Sequence, residues 1–325
     1  MLFTAAAVVA VVAVLFVADK PKQEQEDVAA NVDAAPQSAA RVPPVPVAAA
    51  ATNITVKSVD GARRDADAYA EIAGDSAAAV RCVAGLDSAT AARYITRSRA
   101  IESLGKELPD SEIKALLAYL DSIDNNLRQE RVAALKNDVM NLLRAQNSIS
   151  PDLVSALIKI FNAKRQDSVI LDYCVQHLGA LQEQLDDAAQ LDAIYSCIRK
   201  ASLEENASYS GTALVAMSHR KNPSDENKAF LKERAAAIAA NSKSHEAARI
   251  TAIMIGAENE CEEILPAVRE IVASAADSIS LKIVAINALG RFGDDSDKQL
   301  LADLLAADPN PRLVPALNKG LGTGE

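Results

Sequence analysis

From Gly61 onward, apolar residues recur three and four positions apart. Leu116, Leu117 and Leu120 show this spacing, as do Leu153, Leu157 and Ile160, and again Val268, Ile271 and Val272. Such a spacing lays a single stripe along a helix. Strand signals are weak: β-branched residues rarely alternate with polar ones, and no Asn-Gly or Asp-Gly pair separates two such runs. Breaks between the stripes carry the chemistry of helix ends. Asp110-Ser111 opens one helix, Ser150-Pro151 opens another with Pro in the tolerated first turn, and Asn222-Pro223-Ser224-Asp225 ends one and starts the next. Gly is absent between Gly105 and Gly179, as long helices require.

A second pattern is superimposed on the first. An apolar residue followed by a small one recurs as Leu104-Gly105, Leu178-Gly179, Met217-Ser218, Ile255-Gly256, Leu289-Gly290 and Leu321-Gly322. From Leu178 to Leu321 the intervals are 39, 38, 34 and 32 residues, and the gap after Leu104 leaves room for a unit near Leu143. We read each mark as closing a helix, with Gly290 releasing the chain through a left-handed conformation. A period of this length carried by helices predicts stacked helical pairs, each too amphipathic to bury both flanks alone.

The first 60 residues differ. Leu2–Ala18 is an uncharged run whose helix would span about 26 Å, a little short of a bilayer core. Its Leu, Phe and Val content favours insertion by roughly 3 to 6 kcal/mol. Phe16 occupies a place where a cleavage site needs a small residue, so a retained anchor is expected over a removed signal. Lys20 and Lys22 follow the run, which by the positive-inside rule places the rest in the cytosol. The position of the run at the N-terminus instead predicts export, which is the reading adopted. Residues 19–60, with Pro36, Pro43, Pro44 and Pro46, read as a disordered Ala/Pro-rich linker. Residues 61–325 read as the folded domain.

Composition narrows the partners. Hydrophobic residues make up 50% of the chain but aromatics only 3%, with no Trp, so small aliphatic side chains must fill the interior. The net charge is −10 and no basic stripe occurs, which argues against nucleic acid.

The segment Ile279–Asn310 resembles a bacterial HEAT repeat. Ala288-Leu289-Gly290 matches the end of such a unit's second helix and Asp294-Asp295 its acidic turn. Leu300 to Leu305 with Asp308-Pro309 match the next first helix. Ile264-Leu265-Pro266 carries the first-helix proline common in the family. The resemblance runs from about Ser244 to Gly322 and is looser before it. It implies an all-α, right-handed superhelix of six or seven pairs. It also implies a protein-binding concave surface lined by the second helices, on which Arg249, Lys282, Asn287, Arg312 and Lys319 are the candidate contacts.

Little in the chain points to catalysis. No phosphate-binding loop, dinucleotide fingerprint, G-x-S-x-G or H-E-x-x-H occurs, and Ser210-Gly211-Thr212 reads as a turn or helix flaw. His177 lies on an apolar stripe and reads as core. His219 reads as a helix-end residue meeting terminal carbonyls. His245-Glu246 resembles the iron-ligating pairs of deoxyhypusine hydroxylase, but a lone pair cannot hold a di-iron centre, so capping is expected there. Cys82, Cys174, Cys197 and Cys261 read as buried thiols, with Cys174 and Cys197 the one pair placed for a disulfide. The expectation is a non-catalytic scaffold at a bacterial membrane, without cofactor or small-molecule substrate. A HEAT-type enzyme, a bilin lyase-like chromophore handler and a passive spacer are the alternatives.

Overall fold

The structure, a computed structural model, describes residues 74–307 and 309–323. The expected anchor at residues 1–18 and linker at 19–60 lie outside the described residues. Among the described residues there is no strand and no helix long and apolar enough to cross a membrane.

Among the described residues fourteen α-helices follow one another. They are α1 (Ser76–Val83), α2 (Tyr94–Ser103), α3 (Asp110–Asp121), α4 (Gln129–Arg144), α5 (Pro151–Ala163), α6 (Ser168–Gln184) and α7 (Ala188–Ser202). Then come α8 (Tyr209–Ser218), α9 (Asp225–Ala240), α10 (Glu246–Glu258), α11 (Leu265–Ala273), α12 (Ile279–Phe292), α13 (Asp295–Ala306) and α14 (Val314–Gly320). A short 3-10 turn, Glu262–Ile264, leads into α11.

Local chemistry starts many of these helices. Asp75, Ser150, Asp167, Asp187, Ser224, Ser278 and Asp294 each accept a hydrogen bond from a backbone N–H of the first turn that would otherwise lack a partner. Pro151 stands in the first turn of α5, where its missing N–H costs nothing. At Asp294 the cap is reciprocal: Asp297 accepts from the Asp294 N–H.

Two helices make each hairpin, so the fourteen form seven, from α1–α2 to α13–α14. Among the described residues the substantial packing runs only between a helix and its first or second neighbour in the chain. Odd-numbered helices therefore line one layer and even-numbered helices the other, an arrangement in which every hairpin is covered by the next. Leu116, Leu120, Leu135, Val139, Leu157, Ile160 and Leu178, all essentially inaccessible, belong to one continuous core cluster that also takes in Leu281, Leu289 and Leu317. The unit near Leu143 is present as α3–α4, with Leu143 buried near the end of α4.

Gly105, Ser218 and Gly322 stand at helix ends as expected, but the other three small residues do a different job. Gly179, Gly256 and Gly290 lie inside α6, α10 and α12, and Gly290 has no left-handed backbone. What they provide is proximity. A Cβ on Gly179 would stand 2.7 Å from the Ala216 Cβ on α8, and one on Gly211 would stand 2.9 Å from the Ala248 Cα on α10. A Cβ on Gly290 would stand 2.3 Å from the Gly320 Cα on α14. Ser210-Gly211-Thr212 is thus a helical contact and not a flaw. Even-numbered helices meet backbone to backbone at these points, which only glycine permits. The left-handed conformation expected of Gly290 is found instead at Gly322, at φ +70°, after the last helix.

Gly290→Val should lower unfolding stability by about 1–3 kcal/mol, since the added side chain has nowhere to go. Gly105→Ala, with nothing within 4 Å of the new Cβ, should stay within about 0.5 kcal/mol of wild type. Urea unfolding followed by circular dichroism measures both. Equal effects at the two positions would contradict the packing role.

Candidate protein-interaction face

An even-numbered helix in the middle of the stack has the odd layer on one side and an even neighbour on each flank. Among the described residues one face remains uncovered. Its mid-helix side chains are Asp138 on α4, Tyr173 on α6, Val215 on α8, Met254 on α10, and Ile283 and Asn287 on α12, all half-buried, whereas Asp172 on α6 sits against α8. The charge along this layer is uneven. Asp138, Asp172, Glu246 and Glu258 make its middle acidic, whereas Lys282, Arg291 and Lys319 make its C-terminal end basic.

The acidic groups carry strain from burial. Asp172 accepts hydrogen bonds from Ser208 Oγ (3.0 Å) and Thr212 Oγ1 (2.5 Å), yet burial outweighs both and holds its carboxyl above the usual range. Burial, with a smaller contribution from the Glu102 charge, does the same to Asp138. Burial and these two carboxyls raise the Tyr173 phenol.

Arg249 does not belong to the exposed set. It is buried, its Nε donates to the Ala239 carbonyl at the end of α9 (3.3 Å) and its Nη1 reaches Asp277 before α12 (3.0 Å). Arg97 repeats this arrangement at the other end of the stack. Both arginines are the fourth residue of their helix. Arg97 donates twice to the Val83 carbonyl at the end of α1 (3.1 and 2.7 Å) and meets Asp124 before α4 at 2.6 Å. Lys136 takes this place on α4: its Nζ donates to the Leu120 and Ser122 carbonyls (2.9 and 2.6 Å) and to Gln166 Oε1 before α6 (3.0 Å). Burial pushes the Lys136 ammonium down to about 8. Each of these cations ties its own hairpin's first helix to the next hairpin's turn.

The other candidates stand as follows. Lys282 and Asn287 are half-buried on α12, Lys319 is exposed on the last turn of α14, and Arg312 is exposed in the turn before it. His177 is buried as expected. Its Nδ1 accepts from Arg144 (3.2 Å), its Nε2–H donates to Asn137 Oδ1 (3.1 Å), and burial with the Arg144 charge pushes its pKa down to about 3, so it stays neutral. His219 caps the end of α8, and its Nδ1 lies 4.0 Å from Glu183 on α6. His245 precedes α10 without a side-chain cap bond, and Glu246 accepts from Ser278 Oγ at 2.6 Å. All four cysteines are free and buried, and burial pushes the Cys174 and Cys197 thiols up to about 12 and about 11. Among the described residues no group of three or more His, Cys, Asp or Glu is arranged to hold a metal ion.

Residues 231–321, from α9 to the end of α14, match the family model for HEAT repeats. The chain contains a HEAT-repeat domain. No curated protein and no solved structure matches it. The hairpins before α9 join the HEAT-repeat hairpins in the same two-layer stack. The basic ties at Arg97 and Lys136 were missed in the sequence because their partners lie 27 and 30 residues away. The matching fourth-residue position of Arg97 and Arg249 was the available signal.

Two predictions separate buried from exposed cations. Arg249→Ala should cost about 2 kcal/mol or more, since it leaves Asp277 and a carbonyl unpaired. Arg312→Ala and Lys319→Ala should stay within about 0.5 kcal/mol in the same unfolding assay.

The Arg97–Asp124 pair also has a pH signature. Burial pushes the Asp124 carboxyl up, but hydrogen bonds from Arg97, the Asn126 N–H and Tyr119, with the Arg97 charge, outweigh it and hold the carboxyl below its usual value. The folded pKa lies under the unfolded one, so the stabilisation is complete above about pH 4 and is lost as pH falls below that. Arg97→Met should cost about 3–5 kcal/mol at neutral pH by stranding Asp124. The gap to wild type should narrow in acid, as read from urea midpoints across pH. A gap independent of pH would show that packing alone is at stake.

Proposed function

We propose that the chain is a non-catalytic protein–protein interaction scaffold. HEAT repeats generally mediate such contacts. The supporting observation is the face of the even-numbered helices left uncovered among the described residues, which recurs from hairpin to hairpin, with glycine contacts drawing α6 to α8, α8 to α10 and α12 to α14. Lys282, Asn287, Arg312 and Lys319 are the contacts proposed at its C-terminal end. We place this face on the inner, concave side of a right-handed superhelix, because helices that meet backbone to backbone belong on the tighter side of a curve.

The apolar run Leu2–Ala18 supports a single membrane anchor, with residues 19–60 as a spacer and the repeat domain outside the cytoplasm of a bacterial cell. The scaffold needs no cofactor; stoichiometric iron in purified protein would contradict it in favour of a HEAT-type enzyme. Protease access to residues 19–60 in intact cells tests the side.

Site-specific photo-crosslinking tests the face itself. A crosslinker at Met254 or Asn287 should give discrete protein adducts in membranes, whereas one at exposed Glu233 on α9 should give none. Identical adducts from both layers, or none from either, would contradict the scaffold and favour a spacer.

A further inference from the structure

Among the described residues five large apolar side chains stand in solvent. They are Leu86, Ile95, Ile123, Val169 and Leu203, from 45% exposed at Val169 to 73% at Leu86. All five lie at one edge of the stack, where the first helix of a hairpin turns into the second. Leu86, Ile123 and Leu203 are in the turns after α1, α3 and α7, and Ile95 and Val169 are the second residues of α2 and α6. Each of the first four hairpins thus contributes at least one. The corresponding turns of the last three, 241–245, 274–278 and 307–313, contribute none among the described residues, and neither does the opposite edge, where one hairpin passes to the next. Single exposed apolar residues are ordinary on a protein surface, but a series confined to one edge of consecutive units marks a contact surface.

The edge is continuous and held in place by bonds from turn to turn. Arg97 joins the Ala91 carbonyl in the first turn to Asp124 in the second (3.0 and 2.6 Å). Gln166 in the third turn donates to the Ser122 carbonyl in the second (3.1 Å), and Lys164 in the third meets Glu204 in the fourth (2.9 Å). Two hollows open between turns. One, of about 500 Å³, is lined by Leu117, Ile123 and Ala156 with Lys159 and Arg165. The other, of about 530 Å³, lies beside Leu203 and Ala207.

Charge along this edge is uneven. Lys159 and Arg165, both largely exposed, share the single carboxylate of Asp121 (2.9 and 2.8 Å). Lys200, exposed near the end of α7, donates to Asn162 Oδ1 on α5 (2.8 Å). At the second hollow Glu204 and Glu205 are already met by Lys164 and Arg234 (2.9 and 2.7 Å), and Asp167 caps α6. In a chain of net charge −10, the odd-layer rim of this edge is therefore positive.

The spacing of the turns specifies what fits. Neighbouring helices of one layer stand about 8–10 Å apart, so the apolar residues of successive turns repeat at that interval. Seven residues of an α-helix advance about 10.5 Å and bring a side chain back to nearly the same face. An extended strand covers about 10 Å in three residues, which turns the side chain to the opposite face.

We propose that this edge docks an amphipathic α-helix of a partner protein. The helix lies along the first four turns, its apolar side chains recurring every seven residues and its acidic ones on the flank that meets Lys159, Arg165 and Lys200. Three intervals between four turns span roughly 24–30 Å, the length of about 16–20 helical residues. The described helices of a second copy have their own apolar stripes in the core cluster, so the partner is a different chain. This edge is distinct from the face of the even-numbered helices, and neither surface depends on the other.

The chain has no Trp, so Ile123→Trp places one fluorophore at the edge. With the full chain in lipid nanodiscs, a helical peptide carrying Leu every seven residues and Glu beside it should shift the Trp emission to the blue and saturate. Anisotropy of the same peptide, labelled, with the unsubstituted chain should show binding that Leu203→Ser and Ile123→Ser each weaken roughly tenfold. Lys159→Glu should also weaken it, and less so when Gln replaces Glu in the peptide. Lys243→Ser, in the fifth turn, should change nothing. A peptide of equal composition with Leu at alternate positions should bind at least tenfold more weakly. Absence of saturable binding overturns the proposal, as do equal binding of the two peptides and equal weakening by Lys243→Ser. Quenching of Ile123→Trp by brominated lipid before peptide is added overturns it in favour of the bilayer surface. Self-association that rises with protein concentration and is lost in Leu203→Ser overturns it in favour of a second copy. If Leu203→Ser alters the circular dichroism, Ile123→Ser decides.

Discussion

A helical hairpin with apolar side chains on two flanks has no stable existence alone. Burying one flank inside the hairpin leaves the other in water, and at about 25 cal/mol per Å² of apolar surface that exposure is expensive. The next hairpin covers it and exposes a flank of its own. This one constraint produces the two layers, the absence among the described residues of substantial packing beyond second neighbours, and the core cluster running from Ala79 to Leu317. It also produces the functional surface, because a helix flanked by neighbours and backed by a second layer has one side left for anything else.

Two kinds of contact convert that general need into a specific stack. Glycine against Ala216, Ala248 and Gly320 sets how near the even-numbered helices come. Arg97, Lys136 and Arg249 set which turn meets which helix, since each satisfies carbonyls at the end of one helix and an acceptor in the following hairpin. The first contact is steric and the second is polar, and neither substitutes for the other. Buried cations that serve in this way are unavailable to partners, which is why charge on the uncovered face is carried by other residues.

The period and several helix starts were legible from residue spacing, and the expected six or seven pairs compare with seven hairpins among the described residues. Capping residues and apolar stripes act within a few positions of chain, and Ser150-Pro151 or Asp294 announce themselves. The role of Gly290 was not legible. Leu289-Gly290 looks like a helix end, but its partner, Gly320, is 30 residues on and visible only once α12 and α14 are side by side. Arg249 failed for a related reason. A lone arginine on a helix reads as solvated, and only the fold brings Asp277 to it.

The central claim, that stability passes from each hairpin only to its neighbours, is most directly tested by native-state hydrogen exchange on a Gly290→Val variant. Nearest-neighbour coupling predicts faster exchange in α11 to α14 with α1 to α6 unchanged. Faster exchange to the same extent in all fourteen helices would show one undivided cooperative core and contradict the account.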